Sequence, residues 1–359
     1  MTMQWVFIEP LDVWMFRDSK PFTAQENFYA RSLFPPQPGT MQGVIRSHHY
    51  ALTGQIIGSS TDMGGLRLTG PFVAQRDQSG KTKLYVRAPL DLLAKAGEHG
   101  ESVTGRRLLP AKQMRFKTDL DDQWRPLIPA EREKSAAAEK ADEAEYWMDE
   151  AALATYLSDP RAPVELVKAS QLYDREERVG LALDVERRAN QSGHFYRASF
   201  IRPCSDVGLL VGIDYGQPIF LGSGALNIGG ESRSGLYQVL DGYEFPQPRV
   251  SSGRLKIVLL TPAYFSDGWQ PASRDWSPWV GSKAKLISAA VGKPQAFSGW
   301  DLQRNQPKPL RHFVPAGSVY LFEDAAAPSI PFTETPAGEA DFGAMGFGAV
   351  LVGAWDDAD

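Results

Sequence analysis

Residues 221–240 read LGSGALNIGGESRSGLYQVL and place five glycines within fifteen positions. A backbone with so few Cβ atoms can adopt positive φ angles and lets another chain come close to its N–H groups. Arg233 is the single cation of this stretch. Exposed N–H groups beside a guanidinium suit an anion, of which phosphate is the usual one. The pattern therefore predicts an anion-binding loop, and a tight turn between two strands explains these glycines equally well.

Two other glycine-loop motifs are not met. A P-loop requires GxxxxGK[ST], but Gly80, Lys81 and Thr82 are preceded at the required position by Gln75. The run from Gly222 to Asn227 lacks the third glycine of the dinucleotide fingerprint, and no long βαβ unit follows it. We therefore expect no nucleotide cofactor on this loop.

The composition is that of a globular chain. Of its residues, 43% are apolar and 23% are charged. A length of 359 residues is enough for two domains with their own cores. The single cysteine, Cys204, excludes a disulfide framework and a thiolate metal cluster. No apolar run approaches the roughly 18 residues of a membrane span, and the N-terminus lacks a signal-peptide layout. We expect a soluble, cytoplasmic protein.

The net charge of −5 is unevenly distributed along the chain. Residues 119–150 carry a net charge of −7, and residues 312–359 carry −8 with no Lys or Arg. The rest of the chain therefore carries +10. This distribution permits a basic face that binds a polyanion, although ordinary solvated surfaces explain it as well.

A strand, a helix and a hairpin follow one another near the N-terminus. The patterns predict a strand at 4–8, a helix at 41–53 and a hairpin formed by 66–74 and 83–88. Thr40 is the predicted N-cap of the helix, and Gly54 its stop signal. This order begins a ferredoxin-like βαββαβ unit.

An insertion at about 105–171 separates these elements from the next clear strands. It opens with a basic stretch, namely Arg106, Arg107, Lys112, Arg115 and Lys117. Residues 135–157 are rich in Ala and Glu and predict one or two helices. Their buried side is expected to contain Trp147, Leu153, Tyr156 and Leu157.

The remaining strands divide into two groups. The patterns predict strands at 179–183, 194–201, 207–213 and 236–240, then at 255–260, 285–290, 318–322 and 349–352. The connection 184–193 carries Arg187 and Arg188 and forms either a protruding finger or a mobile loop. The Pro- and Ser-rich segment 245–253 is the predicted linker. We therefore expect one domain at 1–245, with its glycine-rich loop at 221–235, and a second at 250–359.

Catalytic and metal-binding patterns are weak. None of the five histidines stands at zinc-ligand spacing, and no GxSxG motif is present. The surviving enzymatic hypothesis is a metal-independent ribonuclease with His49 or His194 as general acid or base. Histidines without a catalytic role are the simpler explanation.

Several motifs together resemble one family. IEPLDVWMFRDSKPF and SLFPPQPGTMQGVIRS resemble the N-terminus of the RAMP subunit of Cmr-type (type III-B) CRISPR effector complexes that caps the 5′ end of the guide RNA. The matching positions are Glu9, Pro10, Asp12, Arg17, Asp18, Pro21, Phe22, Pro35, Pro36, Pro38, Thr40, Gly43 and Arg46. IGGESRSG is similar to the glycine-rich loop of that family, and RVGLALDVERRANQSGHFYRASFIRP and GWDLQRNQPKPLRHFVPAGSVYLFE resemble its middle and C-terminal sections.

The resemblance implies an α+β protein with two ferredoxin-like (RRM-like) RAMP folds and a helical insertion. It implies a non-catalytic RNA-binding subunit, and the residue patterns give no cofactor or metal site. The expected partners are the 5′ repeat-derived tag of crRNA, the large polymerase/cyclase-like subunit and the backbone RAMP subunit.

A phosphate site then follows from the residues. Tag phosphates are expected over the N–H groups of Gly229 and Gly230, with charge from Arg233, and Gly235 is needed for close approach. Arg46, Arg17 and Arg31 are expected to extend the same basic face. Three alternatives stay open: a RAMP-family endoribonuclease that processes CRISPR RNA, the counterpart subunit of a Csm-type complex, and a protein that binds a nucleotide at the interface with its large partner.

Overall fold

The structure is a computed structural model that describes residues 3–19, 29–96, 103–112, 124–130, 139–140, 146–184, 189–246, 253–301 and 304–358. The elements of the first half are β1 (Gln4–Pro10), β2 (Tyr29–Ala30), α1 (Pro38–Thr53), β3 (Arg67–Arg76), β4 (Thr82–Arg87), β5 (Leu92–Ala96), β6 (Val103–Pro110), β7 (Leu127–Pro129), β8 (Glu139–Lys140), β9 (Tyr146–Asp149), α2 (Glu150–Ser158) and β10 (Val164–Lys168). A single 3₁₀ turn at Ala169–Gln171 follows them.

Strands dominate the second half as well. Its elements are β11 (Tyr173–Asp184), β12 (Ala189–Pro203), β13 (Val207–Asp214), β14 (Ser223–Asn227), β15 (Ser234–Val239), β16 (Gly253–Leu259), α3 (Ser277–Val280), β17 (Lys285–Ala290), β18 (Gln295–Phe297), β19 (Trp300–Asp301), β20 (Gln306–Pro307), β21 (Arg311–Phe313), β22 (Val319–Ala325), α4 (Phe342–Met345) and β23 (Val350–Ala354). The fold is therefore α+β, with mostly antiparallel sheets and few helices. No helix within the described ranges is long and apolar enough to cross a membrane.

A twelve-stranded sheet forms the centre of the molecule. Its strands follow the order β14-β15-β1-β13-β3-β4-β9-β10-β6-β5-β8, and β7 pairs with β6 beside this path. Strand β1 pairs antiparallel with β13 on one side and β15 on the other, so that Phe7 is opposite Leu210 and Gln238. The strand after the glycine-rich stretch therefore lies directly against the N-terminal strand.

The two faces of β1 enter different cores. Val6 and Ile8 belong to a core that also contains Val44 and Ile45 of α1. Trp5 and Phe7 point to the other face, into a core that includes residues of α2 and of the C-terminal strands. Because side chains alternate between the faces of a strand, both cores depend on the same register of β1.

Helix α1 begins earlier than the sequence predicts. Thr40 lies inside the helix, which begins at Pro38 after an N-cap Gln37 that makes no side-chain cap hydrogen bond. Proline is favoured in the first turn because its missing N–H and fixed φ are not a disadvantage there. The predicted end is confirmed, since Gly54 is left-handed with φ 70° and its N–H donates to the Tyr50 carbonyl.

The strands predicted around the long connection are present, but they lie in two sheets. Strands β11 and β12 pair antiparallel along most of their length and form a three-stranded sheet with β2. Strand β13 instead lies between β1 and β3 in the central sheet. The β3–β4 hairpin is confirmed. Of the connection 184–193, residues 185–188, which include Arg187 and Arg188, lie outside the described residues.

The helical prediction for 135–157 is partly wrong. Tyr146–Asp149 is a strand between β4 and β10, and helix α2 covers only Glu150–Ser158. Pairing in the sheet buries Trp147, which outweighs the helix preference of an Ala- and Glu-rich composition. Asp149 then caps α2 by accepting a hydrogen bond from the Ala152 N–H at 2.9 Å. Residues 131–138 and 141–145 lie outside the described part of the chain.

The four strands predicted for the C-terminal region form a sheet of their own. Its order is β17-β22-β16-β23, and all neighbours are antiparallel. Strand β16, the first of the four in the chain, thus lies between β22 and β23, the third and the fourth. Strand β17, the second, lies beside β22. In the central sheet, β1, β3, β13 and β15 have the same relative order and the same antiparallel pairing. Residues 247–252 of the predicted linker fall outside the described ranges.

Candidate nucleic-acid interface

The glycine-rich stretch forms a hairpin of β14 and β15 joined by residues 228–233. Gly229 has φ +88°, and a Cβ added there would lie 2.7 Å from the Met15 carbonyl oxygen. Only glycine therefore fits at this position. Glu231 and Ser232 are also left-handed, with φ 58° and 52°. Backbone strain of this kind is concentrated at ligand sites and switch regions.

The turn is fixed against the segment that follows β1. The Gly230 N–H donates to the Met15 carbonyl at 2.7 Å. This N–H is satisfied within the chain and takes no phosphate in this arrangement, contrary to the sequence-based prediction. A Cβ at Gly235 would lie 2.8 Å from the Glu9 carbonyl oxygen, so glycine permits the close approach of β15 to β1.

A groove of about 440 Å³ runs between this turn and helix α1. One wall is formed by Asn227, Gly229 and Gly230, the other by helix residues, and Arg17 lies on its border; the helix residues are Thr40, Gly43, Val44 and Ser47. Gly43 is exposed, and nothing lies within 4 Å of a Cβ added there. The groove therefore offers backbone surface on both walls with a cation at its edge.

Arg17 and Arg31 lie on two neighbouring segments. Arg17 forms an isolated β-bridge with Ser32, and the Asp18 N–H donates to the Arg31 carbonyl at 3.0 Å. Both arginines are exposed. Arg17 lines the groove, whereas Arg31 lies outside its lining residues and contributes charge from beside it.

Arg233 points away from the groove into a network on the β11–β12 sheet. Its guanidinium lies 4.9 Å from the Phe200 ring centroid and 3.5 Å from an Asp12 carboxylate oxygen. Arg178 lies over the same ring at 4.7 Å, and Arg202 also pairs with Asp12 at 3.1 Å. Glu176 also pairs with Arg178 and with Arg202. These ion pairs hold Arg233 beside the turn, and Arg233 is not among the residues that line the groove.

Arg46 organises a neighbouring loop. Its Nη1 donates to the Ser59 carbonyl at 2.8 Å, and its Nη2 donates to the Asp62 carbonyl at 2.7 Å. Burial lowers the pKa of this guanidinium, and the Asp62 carboxylate offsets part of that effect. Arg46 lines a second cavity and not the groove.

The histidines of α1 are packed. His49 is 4% exposed and makes an edge-to-face contact with Tyr215 at 5.9 Å. His48 stacks on Phe220 at 4.5 Å, and burial lowers its pKa. His194 lies in β12, and its side chain falls outside the described part of the structure. The described residues hold no cluster of three or more potential metal ligands.

Sequence reasoning missed two features. The first is the pair Arg178 and Arg202, because their meeting with Arg233 depends on the register of β11 and β12. The second is the cavity beyond Arg46, of about 800 Å³, which brings α1 against residues about 250 positions later, including Trp300. Trp300 lies in the segment GWDLQRNQPKPLRH, and nothing in the pattern of that segment indicates a cavity.

One protein family matches nearly the whole chain. A sequence model of a family described as CRISPR-associated protein (Cas_Cmr3) matches residues 6–355. Among curated proteins, no sequence matches this chain. Two similar solved chains come from cryo-EM structures of the Type III-B Cmr-beta complex. One, bound to cognate target RNA and AMPPnP, has 18% identity and a TM-score of 0.48. The other, bound to cognate target RNA, has 17% identity and a TM-score of 0.49. Both matches cover 88% of this chain and 86% of the other.

Proposed function

The chain belongs to the Cmr3 family of CRISPR-associated proteins, and on that premise we propose that it binds the 5′ repeat-derived tag of crRNA in a type III-B effector complex. The resemblance noted in the sequence is thereby confirmed at the level of the family. The specific role proposed rests on the groove between the glycine turn and α1.

The backbone-lined groove is the observation that carries the proposal. Gly43 and Gly229 are both exposed and present no side chain to it. Such surface allows the close approach of a sugar-phosphate chain, whose phosphates accept hydrogen bonds from backbone N–H groups and charge from nearby arginines. Gly43 lies within α1, where its N–H is used by the helix, so it contributes close approach and not a donor. Of the two N–H groups that the sequence predicted as phosphate contacts, that of Gly229 stays in the proposal, whereas that of Gly230 is held by Met15.

The charge around the groove favours the binding of an RNA strand. Arg17 lines the groove and Arg31 stands beside it. The network behind the turn has three arginines, Arg178, Arg202 and Arg233, against Asp12 and Glu176, so it carries a net charge of +1. A positive potential of this kind attracts RNA to the groove and weakens with salt.

We propose that the two strand sets are two ferredoxin-like units, which correspond to the RAMP architecture. The shared order of β1, β3, β13, β15 and of β16, β17, β22, β23 supports this assignment. In each set the first two strands are joined through a helix, α1 in one and the single turn α3 in the other. The domain limits at 1–245 and 250–359 remain part of this proposal.

We propose a non-catalytic role with no cofactor. The packing of His49 removes it from the groove, which weakens the ribonuclease alternative. The proposed partners are the large polymerase/cyclase-like subunit and the backbone RAMP subunit. The acidic side chains of residues 312–359 that lie outside the second cavity are suited to protein contacts or solvent, because they repel RNA.

The test is to co-express the chain with its genomic neighbours, purify the complex and sequence the RNA that copurifies. Guide RNAs with one common repeat-derived 5′ end are the expected result. A chain recovered with its partners but without such RNA contradicts the proposal. Metal-independent cleavage of repeat RNA by the chain alone would favour the ribonuclease instead.

A further inference from the structure

The larger cavity, of about 800 Å³, is a cleft between α1 and the C-terminal hairpins. Its floor contains a stack of buried aromatic rings, in which Phe313 lies 5.2 Å from Phe297 and 4.6 Å from Phe347. Tyr50 and Trp300 also line it and are 55% and 54% exposed. Large aromatic side chains of this exposure offer flat apolar surface to a ligand.

One hydrogen bond joins the two walls of the cleft, and others hold each wall. The Gln37 side chain, at the start of α1, donates to the Ser298 carbonyl at 3.0 Å. The Ser298 hydroxyl donates to the Lys308 carbonyl at 2.7 Å. On the opposite side, Arg46 holds the loop that contains Ser59. The cleft is therefore formed before any ligand enters it.

The charge of the cleft opposes that of the chain. Among the described residues, four cations line it, Arg46, Arg304, Lys308 and Arg311, against the two carboxylates of Asp301 and Glu339. Arg311 is paired with Glu339 at 2.7 Å, and the Arg304 side chain is 62% exposed, with its Nε 4.0 Å from Asp301. A net charge of +2 in a chain of −5 favours an anionic ligand.

The cleft and the groove share one wall. Thr40, Gly43 and Ser47 of α1 line both cavities. A strand whose phosphates follow the groove therefore reaches the cleft by crossing a single helix face. Hydroxyl groups in the cleft, such as those of Ser59 and Thr61, supply partners for the polar edge of a base.

We propose that the cleft binds one unpaired nucleobase of the RNA strand that occupies the groove, stacked on Trp300. This inference rests on the proposed function and adds a base-binding site to it. Aromatic surface, net positive charge and hydroxyl groups together match a nucleotide, whereas an apolar protein segment does not require the cations. Arg304 and Lys308 lie where they neutralise the flanking phosphates.

The test is chemical probing of the bases of the RNA in the purified complex, with reagents that together modify all four bases. In the unchanged complex, we expect one base of the bound segment to be protected. Trp300→Ala removes the stacking surface, so the same base becomes about tenfold more reactive, in line with the loss of one base–aromatic stack. Trp300→Phe retains a ring and should keep most of the protection.

Leu310→Ala is the matched control, because Leu310 is 53% exposed on the same C-terminal segment but does not line the cleft. It should leave the protected base unchanged. A protection pattern that is identical in Trp300→Ala and unchanged protein overturns the cleft proposal, even when RNA copurifies. If Trp300→Ala instead lowers recovery of a protein partner without changing base reactivity, the occupant is a protein. The absence of any copurified guide RNA overturns the proposed function and this site with it.

Discussion

The N-terminal strand set β1, β3, β13, β15 and the C-terminal set β16, β17, β22, β23 have the same order but different connections. In the N-terminal set, a sixteen-residue helix and a glycine-rich hairpin enclose the groove. In the C-terminal set, the corresponding connections include helical turns of only four residues each, α3 and α4. The sheet thus supplies a scaffold, and the connections decide where a ligand fits.

The first strands of the two sets, β1 and β16, also differ in the side chains that they bury. One face of β1 contributes Trp5 and Phe7 to the core that β16 also enters through Val258. Beside Val258, however, β16 places Lys256, which is 1% exposed. Its ammonium lies 3.6 Å from an Asp91 carboxylate oxygen and 3.9 Å from the Tyr156 ring centroid. The first N-terminal strand thus places apolar side chains in the shared core, whereas the first C-terminal strand also buries a cation beside it.

A substitution of Gly235, in the fourth strand of the N-terminal set, should have the largest effect on stability. Gly235→Val places a branched side chain 2.8 Å from the Glu9 carbonyl oxygen, and we expect a loss of roughly 3 kcal/mol in the free energy of unfolding. Gly242→Ala is the control, since Gly242 has φ +70° but nothing within 4 Å, and it should cost only about 1 kcal/mol. Urea denaturation measures both. Equal losses in the two variants would show that crowding against β1 does not matter.

The charged side of the shared core is tested by pH. Burial lowers the pKa of Lys256 to about 8, and Asp91 only partly offsets this effect. Because the folded pKa lies below the ordinary value of 10.5, folding is penalised while the folded-state lysine is charged, and the penalty falls as pH rises from about 8 towards 10.5.

Lys256→Met should remove that dependence. The other groups of this cluster are Asp91, Tyr156 and Arg107, and Tyr156 donates to Asp91 at 2.5 Å while Arg107 lies over its ring. We expect the unfolding free energy of the unchanged protein, taken relative to that of Lys256→Met, to increase on going from pH 7 to pH 10, measured by denaturation at each pH. A constant difference contradicts the assignment of the pH dependence to Lys256.

The groove is tested by its border cation. Arg17→Ala removes one phosphate partner, so we expect about a tenfold loss in RNA affinity at low salt and a smaller slope of log affinity against log salt, by about one unit. Lys283→Ala, at an exposed position of the C-terminal set, is the control and should change neither value. Binding titrations at several salt concentrations give both quantities. An unchanged slope in Arg17→Ala removes this residue from the site.

Arg233→Ala should have the smallest effect. Arg233 is engaged by Asp12 and Phe200 and lies outside the groove lining, so we expect less than about a threefold loss and a smaller change of the salt slope than in Arg17→Ala. The same titration, run beside Arg17→Ala, measures the difference. A larger loss than in Arg17→Ala would reverse the roles assigned to the two residues.

Local patterns predicted the elements better than their arrangement. Periodicity identified α1, the β3–β4 hairpin and the four C-terminal strands, because each depends on neighbours in the chain. It missed the strand at Tyr146–Asp149, whose formation depends on pairing with β4 and β10. Local composition contains no information about such distant partners.

The same limit applies to the site. Glycine content correctly marked a special backbone at Gly229 and Gly235, since positive φ and close approach are properties of single positions. The directions of Arg46 and Arg233 were not predictable, because their partners lie in other elements, at Ser59 and Asp62 for one and at Asp12 and Phe200 for the other. Charge in a sequence indicates that a basic face is possible, but not which side chains remain on it.

The hydrogen bond from Gly230 to Met15 has a consequence for synthesis of the protein. More than half of the chain separates these residues, so the groove cannot close until residues 223–239 have left the ribosome. Strand β1 is synthesised first, and both of its neighbours in the central sheet, β13 and β15, follow much later in the chain. On the proposed function, a nascent chain therefore presents no complete groove to RNA until late in its synthesis.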